Sequence, residues 1–308
     1  MKNAPFEIRD YQDRAVRAAL TNHKGILLSC TSSGKSLMIY NIIRCLRKKN
    51  YKKILLIVPN IMLVDQMFDD FTDYGYEDME HEVERLGGGH EAYFDKPVLI
   101  STWQSLQNKE NDFFEKYDAL FIDEVHSVKG KELTRIAKLC ENARFKIGTT
   151  GTLPSDKADL LQIKSVMGDV IFELKSKELI DVGVLTKIKI ANIIAKYPSE
   201  FVMQNKGRSY PEEVKMVEEY EDRNKVLKMI IDHTDDKHNI LILVNHLKHV
   251  KLMQEWFATN YPDKKISTIT GAVKGSERAE IRTGIENEDG TILLATYQTM
   301  STGVNMAK

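Results

Sequence analysis

Two short groups of residues in this chain carry side chains that suit the chemistry of a bound triphosphate. Residues 31–36 read Thr-Ser-Ser-Gly-Lys-Ser, and residues 123–126 read Asp-Glu-Val-His. The first group ends like a phosphate-binding loop, in which main-chain N–H groups and a lysine hold phosphate oxygens. Asp123 and Glu124 supply the carboxylates that a magnesium ion and an attacking water need. Together the two groups predict that the chain binds and hydrolyses a nucleoside triphosphate.

Each side chain in these groups has a predicted role. Lys35 reaches the β- and γ-phosphates, Ser36 and Asp123 ligate magnesium, and Glu124 orients and deprotonates the attacking water. The full loop pattern begins with glycine where this chain has Ser29, so the match by pattern alone is partial. The predicted phosphate cradle consists of Thr31, Ser32, Ser33, Gly34, Lys35 and Ser36.

The surrounding sequence alternates short apolar runs with helix-length amphipathic segments. The helical pattern is clearest at 36–49 and 63–74. Such alternation is typical of a doubly wound parallel sheet, which binds its ligands at the carboxyl ends of its strands. Both motifs directly follow apolar runs, so we expect them at that edge. The predicted strands are 26–29, 53–58, 98–101, 120–123 and 145–148.

The C-terminal third repeats the pattern more briefly and predicts a second, incomplete domain of the same kind. Strands are predicted at 240–244, 265–269 and 291–295, and helices at 250–259 and 277–286. Between the two parts, Tyr-Pro pairs interrupt a mixed, charged stretch. The predicted organisation is a first domain at 1–185, a connecting segment at 186–222 and a partial second domain at 223–308.

Composition places the chain among ordinary globular proteins. Its 308 residues are 42% hydrophobic and 29% charged, with a formal net charge of −1, so any nucleic-acid binding must use a local face. The three cysteines show no metal spacing or disulfide framework. The N-terminus lacks the apolar core of a signal peptide, and no apolar run reaches membrane-spanning length. We therefore expect a cytoplasmic protein without a membrane partner.

The motifs, in their order along the chain, resemble those of superfamily 2 helicases of the DExH type. This resemblance implies a P-loop fold with two RecA-like domains, ATP and Mg²⁺ as cofactors, and a nucleic acid as partner. The matching segments are 9–12 (the upstream glutamine motif), 58–60 with Gln66 (motif Ia), 87–89 (Ib), 101–104 (Ic), 123–126 (II), 150–152 (III), 242–245 (IV) and 295–305 (V).

The resemblance assigns further residues. It implies that Gln12 contacts the adenine, that His126 lies between the nucleotide and the interdomain cleft, and that Thr150 and Thr152 couple hydrolysis to movement. Additional nucleotide contacts are implied for Arg9, Gly303 and Asn305. The residues that the family uses on nucleic acid correspond to Pro59, Asn60, Gln66, Gly88, Gly89, Thr102, Trp103, Gln104 and Thr296.

Four segments, of which the Tyr-Pro segment lies outside the generic motifs, are similar to the UvsW recombination helicases of tailed bacteriophages. They are 102–104, 197–201, 206–210 and 301–303. Those enzymes unwind branched DNA, drive branch migration and anneal strands. The similarity implies a branched, forked or single-stranded DNA partner and a role in recombination, repair or replication restart. It also implies recombination or single-strand-binding proteins as further partners, in the cytoplasm of a host cell.

Two departures from the family pattern lead to further expectations. The small N-terminal DNA-binding domain and motif VI, whose arginines reach the γ-phosphate, find no match in the 308 residues. We therefore expect the chain to be a fragment or a truncated gene product of a larger helicase, and to bind ATP and DNA weakly and hydrolyse ATP slowly in isolation. Two alternatives stay open: an RNA-directed DExH helicase, and a non-catalytic nucleotide-gated module that binds nucleic acid.

Overall fold

The computed structural model describes residues 7–300 other than 272, 274–279, 282 and 286, and residue 129 by its main chain alone. The chain divides into two compact units, Met1–Lys189 and Ile190–Lys308. Each contains a parallel β-sheet with helices, so the predicted α/β class is confirmed. The domain limits at 185 and 223 remain predictions. Across the described ranges, no helix has both the length and the apolar character that a membrane crossing requires.

The first unit is built on a seven-stranded sheet with the order β3-β4-β2-β5-β6-β1-β7, in which every pairing is parallel. Its strands are β1 (Lys24–Ser29), β2 (Ile54–Val58), β3 (Val83–Leu86), β4 (Val98–Thr102), β5 (Ala119–Asp123), β6 (Phe145–Thr150) and β7 (Val170–Leu174). Its helices are α1 (Asp10–Asn22), α2 (Lys35–Lys48), α3 (Ile61–Asp73), α4 (Met79–Glu82), α5 (Trp103–Leu106), α6 (Asn111–Glu115), α7 (Lys131–Leu139), α8 (Lys157–Met167) and α9 (Ser176–Asp181), with a 3-10 turn at Val125–Lys129.

The central strands are apolar on both faces because helices cover both sides of the sheet. In β5, Phe121 packs with α1, α2 and α3 on one face, whereas Leu120 and Ile122 pack with α6, α7 and α8 on the other. All three side chains are at most 1% exposed. Burial of each contributes about 1.5–3 kcal/mol to folding. This two-sided core holds the carboxyl ends of the strands along one edge of the sheet. The motif residues that follow the strands therefore lie at that edge.

The second unit contains a three-stranded parallel sheet with the order β8-β10-β9. Its strands are β8 (Ile240–Val244), β9 (Ile266–Ile269) and β10 (Ile292–Thr296). Its helices include α10 (Ser199–Gln204), α11 (Tyr210–Glu219), α12 (Asp222–Asp232) and α13 (Leu247–Asn260), followed by a helical turn at Tyr297–Met300. Phe257 of α13 is fully buried against Ile292 and Leu294 of β10, which closes one face of the sheet.

The structure differs from the sequence predictions at the margins of the sheets. Strands β3 and β7, which were not predicted, form the two edges of the first sheet. Helices α10 and α11 lie inside the predicted connecting segment 186–222, so this segment is not merely a linker. The predicted helix at 277–286 lies in part outside the described residues.

Candidate nucleotide-binding site

The loop between β1 and α2 has the strained main chain that a phosphate cradle requires. Ser32 and Gly34 adopt left-handed φ values of 62° and 79°. A Cβ at Gly34 would come within 2.4 Å of Gln12 Nε2, so glycine is needed both for the turn and for this approach. Inside the loop, Ser29 Oγ donates a hydrogen bond of 2.7 Å to Ser33 Oγ, and both side chains are fully buried. Ser29, which stands where the usual pattern has glycine, therefore stabilises the loop through its hydrogen bond to Ser33.

Gln12 attaches this loop to the start of α1. Its Nε2 donates a 3.0 Å hydrogen bond to the carbonyl of Ser33, and its Oε1 accepts one of 3.0 Å from the main-chain N–H of Arg9. The side chain of Gln12 is 3% exposed. The guanidinium of Arg9 donates to the hydroxyl of Tyr11 at 3.0 Å. The structure thus places Gln12 against the loop, with a supporting contact that the motif alone did not predict, whereas Arg9 contacts Gln12 and Tyr11.

The carboxylate pair lies directly across from this loop. Lys35 Nζ is 3.3 Å from Glu124 Oε1, although the two residues belong to different elements, α2 and the end of β5. Thr149 Oγ1 donates a 2.7 Å hydrogen bond to Asp123 Oδ1 from the adjacent strand β6. Burial raises the pKa of Asp123 above its usual value, and the hydrogen bond from Thr149 opposes that shift. Lys35, Asp123 and Glu124 therefore form one site.

Glu124 reaches this position through a left-handed main chain with φ 51° and ψ 53°. This conformation costs about 1–2 kcal/mol in a residue with a side chain. Two hydrogen bonds to its carbonyl hold it, from the N–H and the hydroxyl of Ser127 at 3.0 and 2.8 Å. The next residue, Val125, is fully buried against Gly148 of β6.

Gly148→Ala is expected to destabilise the protein and disturb the carboxylate pair. A Cβ at Gly148 would lie 2.7–3.0 Å from three side-chain carbons of Val125, including its Cβ, which a rotamer change cannot move away. Such overpacking typically costs about 1–3 kcal/mol. Urea unfolding measures the loss. Gly130→Ala serves as the matched control, since its nearest contact would be an ordinary 3.7 Å. Equal stability of the two variants would contradict the expectation.

Thr150 connects the second carboxylate to the segment predicted to couple hydrolysis and movement. Its Oγ1 is 3.2 Å from Glu124 Oε2, 2.8 Å from the carbonyl of Thr152 and 2.9 Å from His126 Nδ1. His126 Nδ1 is also 3.2 Å from Glu124 Oε2. A hydroxyl has one proton, so Thr150 can donate to Glu124 or to Thr152 but not to both. The orientation of Glu124 is therefore tied to the conformation of residues 150–152.

The available ligands fit a magnesium ion held mainly by phosphate. Ser36 and Asp123 offer a hydroxyl and a carboxylate, the hard oxygen ligands that Mg²⁺ prefers alongside phosphate oxygens and water. The described residues contain no cluster of three or more His, Cys, Asp or Glu side chains that could hold a metal without such help. In the structure, Ser36 Oγ is 2.9 Å from the hydroxyl of Tyr74, at the end of α3.

The predicted nucleic-acid residues of the first unit follow β2, β3 and β4, which are neighbours in the sheet. Asn60 Oδ1 accepts a 3.0 Å hydrogen bond from the N–H of Leu63 and caps α3. Thr102 Oγ1 accepts one of 3.3 Å from Ser105 and caps α5. Pro59, Gln66 and Trp103 are half-buried, Gln104 is exposed, and Trp103 packs against the core.

The glycine turn after β3 approaches the start of α3 closely. Gly87, Gly88 and Gly89 have φ values of 112°, 67° and 94°, which only glycine adopts readily. A Cβ at Gly88 would lie 2.6 Å from Ile61 Cγ2. One half of the carboxyl edge therefore holds the predicted nucleic-acid loops, and the other half, at β5, β6 and β1, holds the phosphate loop and carboxylates.

The remaining predicted residues belong to the second unit. Thr296 ends β10, is 6% exposed, and its Oγ1 lies 2.5 Å from Thr299 Oγ1. Gly303 and Asn305 lie outside the described residues. Sequence reasoning did not identify Thr149 or Tyr74 as partners of the site. Thr149 could have been found from strand register, because it pairs directly with Asp123 in β5 and β6.

A phosphate loop facing strand-end carboxylates at the carboxyl edge of a parallel sheet defines a P-loop NTPase with a RecA-like fold. Residues 5–155 match the family described as "Type III restriction enzyme, res subunit". The sequence is 32% identical over 310 aligned residues to the "ATP-dependent DNA helicase uvsW" of Enterobacteria phage T4, covering 99% of this chain and 61% of that protein. In sequence and fold this chain is similar to the superfamily 2 helicases.

Two further comparisons agree with this assignment. The solved structure "The crystal structure of T4 UvsW" matches with a TM-score of 0.51 and 30% identity, over 98% of this chain and 60% of that one. The "DNA 3'-5' translocase XPB2" of Sulfurisphaera tokodaii is 25% identical over 195 residues, which are 63% of this chain and 42% of that protein. The chain thus spans about three fifths of the length of its T4 relative.

Proposed function

We propose that this chain is the ATP-driven motor of a DNA helicase or translocase that acts on branched or forked DNA. The observation that carries the proposal is the 3.3 Å contact between Lys35 Nζ and Glu124 Oε1, which joins the phosphate loop to the strand-end carboxylates. The names of its relatives support the type of substrate, since they describe a DNA helicase and a DNA translocase.

The side chains of the site have complementary tasks in this proposal. Bound ATP with Mg²⁺ would supply the phosphoanhydride bond and the positive charge that stabilises the leaving phosphate. Ser36 and Asp123 are the residues that would hold the metal. When ATP binds, Lys35 leaves the carboxylate of Glu124 and contacts phosphate oxygens. Glu124 Oε1 can then accept a proton from water. Oε2 stays oriented by Thr150 and His126.

The nucleic acid would be held along the loops after β2, β3 and β4. The amide of Asn60 and the N–H groups of Gly88 and Gly89 suit the backbone phosphates of a nucleic acid better than its base edges. The hydroxyl of Thr102, by contrast, is on a side chain that is 1% exposed and caps α5. Binding should therefore depend little on sequence and weaken with salt, with a logarithmic slope of about −0.7 for each phosphate contacted on a single strand. Single-strand-binding or recombination proteins as partners, and a cytoplasmic location, are parts of the same proposal.

ATP hydrolysis in the presence of different nucleic acids tests this function. The rate is measured with forked DNA, single-stranded DNA and RNA of one sequence, each at matched phosphate concentration. We expect DNA to raise a slow basal rate several-fold, with the fork most effective. A larger stimulation by RNA would favour an RNA-directed helicase. DNA affinity that responds to nucleotide without any turnover would instead favour a non-catalytic module.

A further inference from the structure

The hydroxyl of Ser36 is engaged by a helix that has no assigned part in the site. Ser36 Oγ lies 2.9 Å from the hydroxyl of Tyr74, the residue at which α3 ends. The carboxyl of Asp70 lies one turn earlier on α3, and burial raises its pKa above the usual value. Meanwhile Asp123, the other predicted metal ligand, is paired with Thr149. The two predicted ligands are thus each bound to a different neighbour.

Tyr74 is held in place by the packing of α3 on α2 rather than by a chance orientation at the surface. The hydroxyl of Tyr40 donates a 2.7 Å hydrogen bond to the carbonyl of Tyr74, and their rings meet edge to face at 5.3 Å. Arg44 in turn donates to the Tyr40 hydroxyl at 3.0 Å. Because Tyr40 is only 1% exposed, this chain of contacts is part of the core.

A serine hydroxyl has one proton and two lone pairs, and metal ligation requires that a lone pair point at the metal. The hydrogen bond with Tyr74, in which either hydroxyl can be the donor, holds Ser36 Oγ toward α3. We propose that Tyr74 is a positioning residue that latches Ser36 to α3, and that this latch must open before Ser36 ligates Mg²⁺. The inference rests on the proposed function, since it presupposes that Mg²⁺ and nucleotide bind at this loop.

Binding of a fluorescent, non-hydrolysable ATP analogue tests the latch. Affinities are measured for the wild type and Tyr74→Phe, each with Mg²⁺ and with EDTA in its place. Loss of one hydrogen bond that competes with the metal should raise the affinity of Tyr74→Phe about three- to tenfold with Mg²⁺. No gain is expected in EDTA. A merely structural role for Tyr74 would instead alter binding equally under both conditions, and melting temperatures report any loss of packing.

Tyr76→Phe is the matched control. Tyr76 follows the same helix, and its hydroxyl donates at 2.9 Å to Glu82 rather than to the loop, so its loss should change neither affinity. Unchanged or weaker binding by Tyr74→Phe in Mg²⁺, or the same gain in EDTA, would overturn the latch while the proposed function stood. A wild-type protein that fails to bind the analogue at all would overturn both.

Discussion

Lys35→Ala is expected to lower ATP hydrolysis about 100-fold or more and to weaken nucleotide binding. The ammonium of Lys35 lies 3.3 Å from Glu124 Oε1, and the residue begins α2, immediately after the loop. In the proposed complex it is the point charge on the β- and γ-phosphates, and removing one such preorganised contact typically costs two to three orders of magnitude in rate. The measurements are the rate of phosphate release and the dissociation constant of a labelled nucleotide.

Lys48→Ala is the control for Lys35→Ala. Lys48 ends the same helix and is exposed, so the variant has the same change in net charge without a change at the loop. It should bind and hydrolyse ATP as the wild type does. Wild-type hydrolysis by Lys35→Ala would refute the role assigned to this lysine.

Glu124→Gln is expected to separate binding from hydrolysis. Glutamine keeps the shape of glutamate and can still accept hydrogen bonds from Thr150, but it cannot take a proton from water. General-base catalysis contributes about 10²- to 10⁴-fold, so the hydrolysis rate should fall by that order. Nucleotide affinity should stay within about threefold or increase, because the variant places one negative charge less beside Asp123 and the phosphates. Single-turnover hydrolysis and equilibrium binding give the two quantities.

Glu132→Gln is the matched control for this second experiment. Its carboxylate is exposed and pairs with Arg135 on α7, away from the strand ends. Hydrolysis by Glu124→Gln at the wild-type rate would remove this residue from the reaction. If the wild type showed no turnover, and nucleotide controlled DNA affinity equally in the wild type and Glu124→Gln, the result would support the non-catalytic alternative.

The sequence predicted the centre of the first sheet because its strands are continuous apolar runs. The run before Asp123 is buried in β5, and its short length and the alternation with helical segments around it favoured a strand. The edge strands were not predicted because they lack such continuous apolar runs. β3 is four residues long and places the adjacent charged residues Glu84 and Arg85 between Val83 and Leu86, a pattern too short to separate from a loop.

For the site, local motifs predicted which residues would meet but not what holds them. Lys35 and Glu124 follow from two motifs whose strands lie in the same sheet. By contrast, the contact of Gln12 with Ser33 spans 21 residues and that of Ser36 with Tyr74 spans 38. Both contacts depend on how α1 and α3 pack beside the loop. Helix packing of this kind depends on the whole core, and no local pattern encodes it.

The hydroxyl pair Ser29–Ser33 has a consequence for the thermodynamics of ligand capture. A loop braced across its base before any ligand arrives has already lost most of its conformational entropy during folding. Calorimetry should therefore show only a small unfavourable conformational entropy when nucleotide binds the wild type. Ser29→Gly restores the more usual residue and removes the brace, so its binding entropy should be more unfavourable.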